Sequence, residues 1–244
     1  MSNKVFEKIG AEILEKKARV ARLNAIDACL NLASNYQWCV SAGKTDEIIN
    51  LFATKTSGVR FDVATRAWRG ETGLRRYFKG YVDALNNAAQ NRLLVQNMLN
   101  PLLIAAEDGE TVWGKWNSIG LETGFDAEGK PVDLWVWCMY WIDFVKEDGE
   151  WKIWHLRAYP LSRTPFTGEG WTDTDYYDDT DYIKATFGIH PDDPEFAPDA
   201  YKEWYPFSNV TAKCDVHENY PPTPERRATY DPRWNEIDRE VPKK

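Results

Sequence analysis

The order of hydrophobic periods along the 244-residue chain predicts an α+β fold, with helices first and a run of antiparallel strands after them. Apolar residues keep helical spacing from about Lys4 to Ala42 and again from about Thr72 to Gln90. From Arg92 onward the pattern changes to β-branched and aromatic runs divided by the turn signals Glu107-Asp108-Gly109-Glu110 and Glu147-Asp148-Gly149-Glu150. After Pro160 it changes once more, to a stretch holding most of the 13 Pro, the acidic cluster Asp173 to Asp181 and rings without a period. The chain therefore divides into a helical lead-in (1–23), an α+β domain (24–160) and an extension (161–244). Trp171, Tyr176, Trp204 and Trp234 argue for an ordered, irregular arm over a solvated tail.

Within the first helix, Val5, Phe6, Ile9, Ile13, Val20 and Leu23 form one stripe, and Ala25, Cys29, Leu32, Tyr36 and Cys39 add a second. The second half is thus predicted buried and the first half exposed. Gly43 ends the helix, and Thr45 is the expected cap of a short helix from Asp46 to Phe52. Val59 to Val63 reads as a strand, and Trp68-Arg69-Gly70 leads into the helix carrying Leu74, Tyr77, Phe78, Tyr81, Val82 and Leu85. An extended segment from Arg92 to Ala106 breaks at Asn100-Pro101, because proline cannot donate to a ladder. Thr111 to Leu121 is the next strand, and Thr123 to Lys130 turns the chain into a long hairpin.

That hairpin, Pro131 to Pro160, dominates the sequence. Leu134, Val136, Cys138, Tyr140, Ile142 and Phe144 alternate with Trp135, Trp137, Met139, Trp141 and Val145, so both faces are apolar and both need cover. The chain's own helices supply one cover; a second subunit is expected on the other. Asp143, His155 and Arg157 interrupt the pattern. A three-residue loop at 147–149 pairs Lys146 with Glu150 and sets those polar residues beside Trp141 on one face; a four-residue loop separates Asp143 from the other two.

The net charge of −8, with no basic stripe, argues against nucleic acid, and no run approaches a membrane span. Cys29, Cys39, Cys138 and Cys214 lack metal-ligand spacing and read as free thiols of a reducing, cytoplasmic protein. The acidic cluster lacks the glycine and closing glutamate of a calcium loop and reads as a solvated loop. Twelve Trp point either to core and subunit packing or to a ring-lined pocket for an aromatic or polycyclic ligand.

Taken in order, several short motifs resemble the SnoaL-like branch of the nuclear-transport-factor-2-like superfamily. They are Tyr36; Leu51-Phe52; Arg69-Gly70 before Leu74 and Tyr77-Phe78; Asn100-Pro101; Gly109-Glu110-Thr111 to Trp116; Tyr140 to Phe144; and Asp148-Gly149 with Trp151-Lys152-Ile153. The resemblance runs from about Asn24 to Tyr159 and implies a cone of curved antiparallel sheet closed by helices, a cystatin-like α+β barrel. Members include polyketide cyclases, scytalone dehydratase, a bile-acid dehydratase, a dehydrochlorinase and lyases on lignin-derived diaryl compounds. The resemblance implies chemistry without a cofactor or metal, and a homo-oligomer, by preference a trimer. In that group a Tyr, an Asp five residues later and a strand His form the acid–base set. Tyr36 matches the tyrosine, whereas the Asp position falls on Ser41 and the His position on or near Gln96.

Elimination next to an activated carbon needs a base near the proton and an acid near the leaving group. The candidates are Tyr36 as donor, His155 as base if its face is the concave one, Asp143 to fix its tautomer and Arg157 to steady an oxyanion. Against this stand an interface histidine and a structural Asp143–Arg157 pair. Arg60 and Asp62 share a strand face as a clamp or a salt bridge, and Ser41, Gln96, Asn97 and Asn100 are candidates to orient a polar group. Trp38, Trp116, Tyr140 and Trp141 complete the substrate-binding candidates as ring surface. Two functions follow: a cofactor-independent lyase or isomerase on an aromatic small molecule, or a binding or assembly module that has lost its catalytic groups, as Ser41 and Gln96 suggest.

Overall fold

The computed structural model describes residues 3–89, 92–126, 128, 130–167, 180–202 and 240–241. Helix α1 (Asn3–Ser41) runs for 39 residues, exposed at Phe6, Ile9, Ile13 and Val20, then buried at Ala25, Cys29, Ala33 and Tyr36. The switch follows the second apolar stripe. Helix α2 (Thr45–Asn50) has Lys44 at its N-cap position without a side-chain cap. The Thr45 hydroxyl, the expected cap, instead donates to Asp83 Oδ1 at 2.7 Å.

Strands β1 (Arg60–Val63) and β2 (Arg66–Arg69) form a short hairpin before α3 (Gly70–Arg75). Four residues are too few to show a period, which is why β2 was not legible as a strand. The helix continues through a π-helical segment (Arg76–Val82) into α4 (Asp83–Ala88). Then come β3 (Leu94–Ala105), β4 (Thr111–Phe125), β5 (Pro131–Glu147) and β6 (Glu150–Pro165). In β3 the register slips between Leu99 and Leu102, where Asn100 takes a φ of 52° ahead of Pro101. Helix α5 (Thr180–Phe187) and the short strands β7 (Ala200–Lys202) and β8 (Glu240–Val241) belong to the extension. Trp171, Tyr176, Trp204, Trp234, Cys214 and most of the Asp173–Asp181 cluster lie outside the described residues.

The eight strands make one curved sheet in the order β3-β4-β5-β6-β1-β2-β7-β8. The sheet is mixed where an antiparallel one was expected, because β1 lies parallel to β6, with Arg60 beside His155 and Asp62 beside Arg157. Hairpin turns impose antiparallel neighbours, but the chain reaches β6 from β1 only after the helices and the meander, and such a crossover admits either direction.

The β5–β6 turn holds two residues, Asp148 (φ 52°) and Gly149 (φ 85°), with Glu147 opposite Glu150. Continued unbroken, that register would set Asp143 opposite Trp154. A bulge at Trp154 restores parity: Phe144 pairs Ile153, then Asp143 pairs His155 and Trp141 pairs Arg157. Cys138, Tyr140, Ile142 and Phe144 therefore face inward against Tyr36, Phe52, Phe61 and Phe78. Met139, Trp141 and Asp143 face outward.

On β4 the inward face is Val112, Gly114, Trp116, Ser118, Gly120 and Glu122, in step with β5. A Cβ at Gly120 would stand 2.2 Å from the Val95 carbonyl and 2.9 Å from Gln96 Cα, so only glycine lets β3 lie this close. Gly120→Ala should therefore lower stability by about 2 kcal/mol, measured by urea unfolding; an unchanged midpoint would show that β3 shifts freely.

Candidate active site

The inward face of the sheet and the helices enclose a cavity of about 690 Å³. Tyr36 enters it from the buried half of α1, Tyr77 from the π-helical segment, and Gln96, Glu122, Cys138, Tyr140 and Arg163 from neighbouring strands. The register explains the grouping. Gln96, Gly120, Val136 and Arg163 form one row across β3 to β6, and Glu122 is opposite Leu134, the diagonal neighbour of Arg163 on β5. Arg163 and Glu122 make an ion pair. The Tyr140 hydroxyl donates to Gln96 Oε1 at 2.6 Å, while the Tyr36 and Tyr77 hydroxyls hold no hydrogen bond among the described residues.

Burial pushes the Tyr36 and Tyr140 phenols well above the ordinary tyrosine range. The Tyr77 phenol rises to about 12, again by burial, although the Arg92 charge pulls it down. Burial also pushes the Cys138 thiol up. All of them are neutral near pH 7, so the cavity offers hydroxyl donors beside the Glu122 side chain.

The sequence candidates divide by face. Tyr36, Ser41, Gln96 and Tyr140 line the cavity, so the two positions where the expected Asp and His are replaced do meet the tyrosine there. Asp143, His155, Arg157, Trp141, Arg60 and Asp62 lie on the opposite face of the sheet, which removes the condition for His155 to act as base in this cavity. Trp38 is 75% exposed on the outer side of α1, and Asn97 and Asn100 are exposed on β3. Trp116 is buried core, edge-on to Phe144. Glu122, Arg163, Tyr77 and Arg92 were not singled out beforehand. Glu122 carried a usable signal, as the one charged residue in phase with Trp116 on β4; Arg163 lay beyond the predicted end of the hairpin.

The outward cluster is an ion network. Asp143 Oδ2 lies 2.7 Å from His155 Nδ1 and accepts from Arg157 Nη1 at 3.0 Å. Trp154 stacks on His155 at 4.4 Å, Arg157 lies over Trp141 at 5.5 Å, and Arg60 Nε donates to Asp62 Oδ2 at 3.1 Å. Asp143, His155 and Arg157 are all less than 5% exposed. Burial raises the Asp143 pKa, but Arg157 and the His155 hydrogen bond outweigh it, so the carboxyl is held below the ordinary range. Burial lowers the His155 pKa, with Arg157 and Arg60 acting the same way against Asp143.

Among the described residues, no group of three or more His, Cys, Asp and Glu side chains is arranged to hold a metal ion, and no helix is long and apolar enough to cross a membrane. Cys29, Cys39 and Cys138 are free thiols.

A curved sheet wrapped round a polar-ended cavity and closed by an N-terminal helix defines the class, an α+β barrel. The chain belongs to the SnoaL-like domain family, which matches residues 21–157. Among solved structures, hexachlorocyclohexane dehydrochlorinase LinA type 2 is similar at 14% identity and a TM-score of 0.51, covering 62% of this chain and 94% of that one. LinA type 3 from Novosphingobium barchaimii LL02 is similar at 16% identity and a TM-score of 0.50, covering 62% and 95%. At these identities the likeness establishes the fold. No curated protein sequence matches the chain.

The outward network yields a stability prediction. A His whose folded pKa lies below its unfolded value of 6.5 favours the native state only when neutral, so stability falls as pH drops below about 6.5; Asp143, also depressed, adds a further loss through the carboxylate range. His155→Gln should flatten the first part of this decline. Asp143→Asn, which removes the carboxylate between buried Arg157 and His155, should cost about 3 kcal/mol or more at pH 7. Urea titrations at several pH values check both.

Proposed function

We propose that this protein is a cofactor-independent lyase or isomerase that acts by acid–base chemistry on an aromatic or polycyclic small molecule. The observation that carries this is the convergence of the Tyr36, Tyr77 and Tyr140 hydroxyls and the Glu122 carboxylate on one ring-lined cavity. Glu122, held by Arg163, takes a proton from the carbon next to the activating group, and the Tyr36 hydroxyl donates to the leaving group or developing oxyanion. Its raised pKa keeps it a donor well into alkaline solution. Tyr140, tied to Gln96, positions the substrate oxygen. The dehydrochlorinases that share the fold, eliminating enzymes by their names, support the reaction class.

Substrate panels of phenolic diaryl and steroid-like compounds, incubated with the metal-free protein, test this. Glu122→Gln should reduce kcat about 10²- to 10⁴-fold and Tyr36→Phe about 10²-fold, with ligand affinity retained. Turnover unaffected by both substitutions would overturn the assignment. The absence of histidine and aspartate from the described cavity lining favours a second reading, a binding module. There, ligands raise the melting temperature and emerge unaltered.

Homo-oligomerisation, with a trimer favoured by the family resemblance, belongs to the same proposal. Trp141 is only 3% exposed and so drops out of the expected outer ring row, but Trp137 is 41% and Phe166 53% exposed, with Trp135 stacked on Phe166 at 4.6 Å. Those rings form the contact we assign to a neighbouring subunit. Sedimentation velocity at micromolar concentration should show an oligomer that Trp137→Glu weakens; a wild-type monomer would contradict it.

A further inference from the structure

We infer that the ligand of the cavity carries a single carboxylate and that Arg92 receives it. The inference rests on the cavity being the ligand site, and it names the class of ligand: an aryl or polycyclic monocarboxylic acid.

The cavity is lined by the guanidinium groups of Arg66, Arg92 and Arg163. Arg66 is engaged by Asp192 through both ends of the fork, Nε to Oδ1 at 2.8 Å and Nη2 to Oδ2 at 3.0 Å. Arg163 is paired with Glu122. Arg92 differs. Its Nη1 donates to the side-chain oxygen of Asn86 at 2.8 Å, and it makes no ion pair among the described residues. An amide partner fixes the direction of a guanidinium without cancelling its charge, and most of its donors are left for a planar, bidentate acceptor.

The surroundings complete the receptor. Arg92 lies two residues ahead of β3, and it lines the same cavity as Leu94 and Gln96 of that strand. Tyr77 is close enough that the Arg92 charge is the strongest influence opposing its burial, and the Tyr77 hydroxyl is an unused donor. Four residues along the chain hold the Arg92 and Gln96 backbones at most roughly 13 Å apart, room for one or two fused rings between the charged end and the Tyr140–Gln96 pair. One cation without an ion pair among the described residues matches one negative charge. A phosphate dianion would bring a second charge toward Glu122, opposite Leu94 on the adjacent strand.

Calorimetric titration of the full-length protein with naphthalene-2-carboxylate and with its uncharged methyl ester tests this. The wild type should bind the acid at least about tenfold more tightly than the ester. Arg92→Gln should abolish that preference while leaving ester affinity unchanged, and Arg92→Lys should keep part of it. Acid and ester binding alike, or a preference that survives Arg92→Gln, would overturn the inference. Should Arg92→Gln not fold, the wild type still decides: acid affinity must weaken with added salt while ester affinity does not, and salt-independent acid binding would refute it. The two proposals fail separately. Preference for the acid without turnover of any compound tells against the catalytic reading alone, whereas turnover of neutral substrates without that preference tells against the carboxylate alone.

Discussion

The register of the β5–β6 hairpin is the constraint on which the rest of the molecule depends. In a strand pair a one-residue slip exchanges the two faces, and here the faces have incompatible contents. One carries Cys138, Tyr140 and Ala158 toward the cavity; the other carries Asp143, His155 and Arg157 into a buried ionic cluster. The two-residue Asp148-Gly149 turn alone would bring Asp143 opposite Trp154. The bulge at Trp154 corrects this, and its indole is anchored by stacking on His155 and by donating to the Ser57 carbonyl at 2.8 Å. The buried charges reinforce the choice, because a slip would take the buried Asp143 carboxylate away from His155 and Arg157, a penalty larger than a local turn preference.

Much of this was legible beforehand. The helices, the strand order from β3 to β6 and the two-sided burial of β5 follow from apolar period and turn chemistry, and the short motifs pointed to the family that matches residues 21–157. The site was less legible. Alternation showed that Asp143, His155 and Arg157 share a face, but not which face is concave. That depends on where α1 and the helix after β2 settle, and on the parallel docking of β1 against β6, neither of which is local. The loop length was also misjudged, two residues instead of three or four, and the Trp154 bulge happened to give the parity of the three-residue alternative. Glu122 and Arg163 meet only through the register of β4, β5 and β6, which no spacing within a single segment displays.

The fold thus separates two tasks that the sequence presents as one cluster of polar residues. Outward, a histidine, a carboxylate and an arginine satisfy one another and tie β5 to β6. Inward, phenols raised by burial stand next to the Glu122–Arg163 pair, an arrangement suited to moving protons. Part of the extension joins the second task, since Ile183 and Pro191 line the same cavity and Phe196 accepts a hydrogen bond from Trp68 through its carbonyl at 2.7 Å.

The most direct test of this division is NMR of the full-length protein labelled at the tyrosine ζ-carbons and the histidine ring nitrogens, titrated with naphthalene-2-carboxylate. Resonances are assigned with single Tyr→Phe variants and His155→Gln. The account requires the Tyr36, Tyr77 and Tyr140 signals to move while the His155 nitrogens stay where they are; a shift at His155 with the three tyrosines unmoved would contradict it.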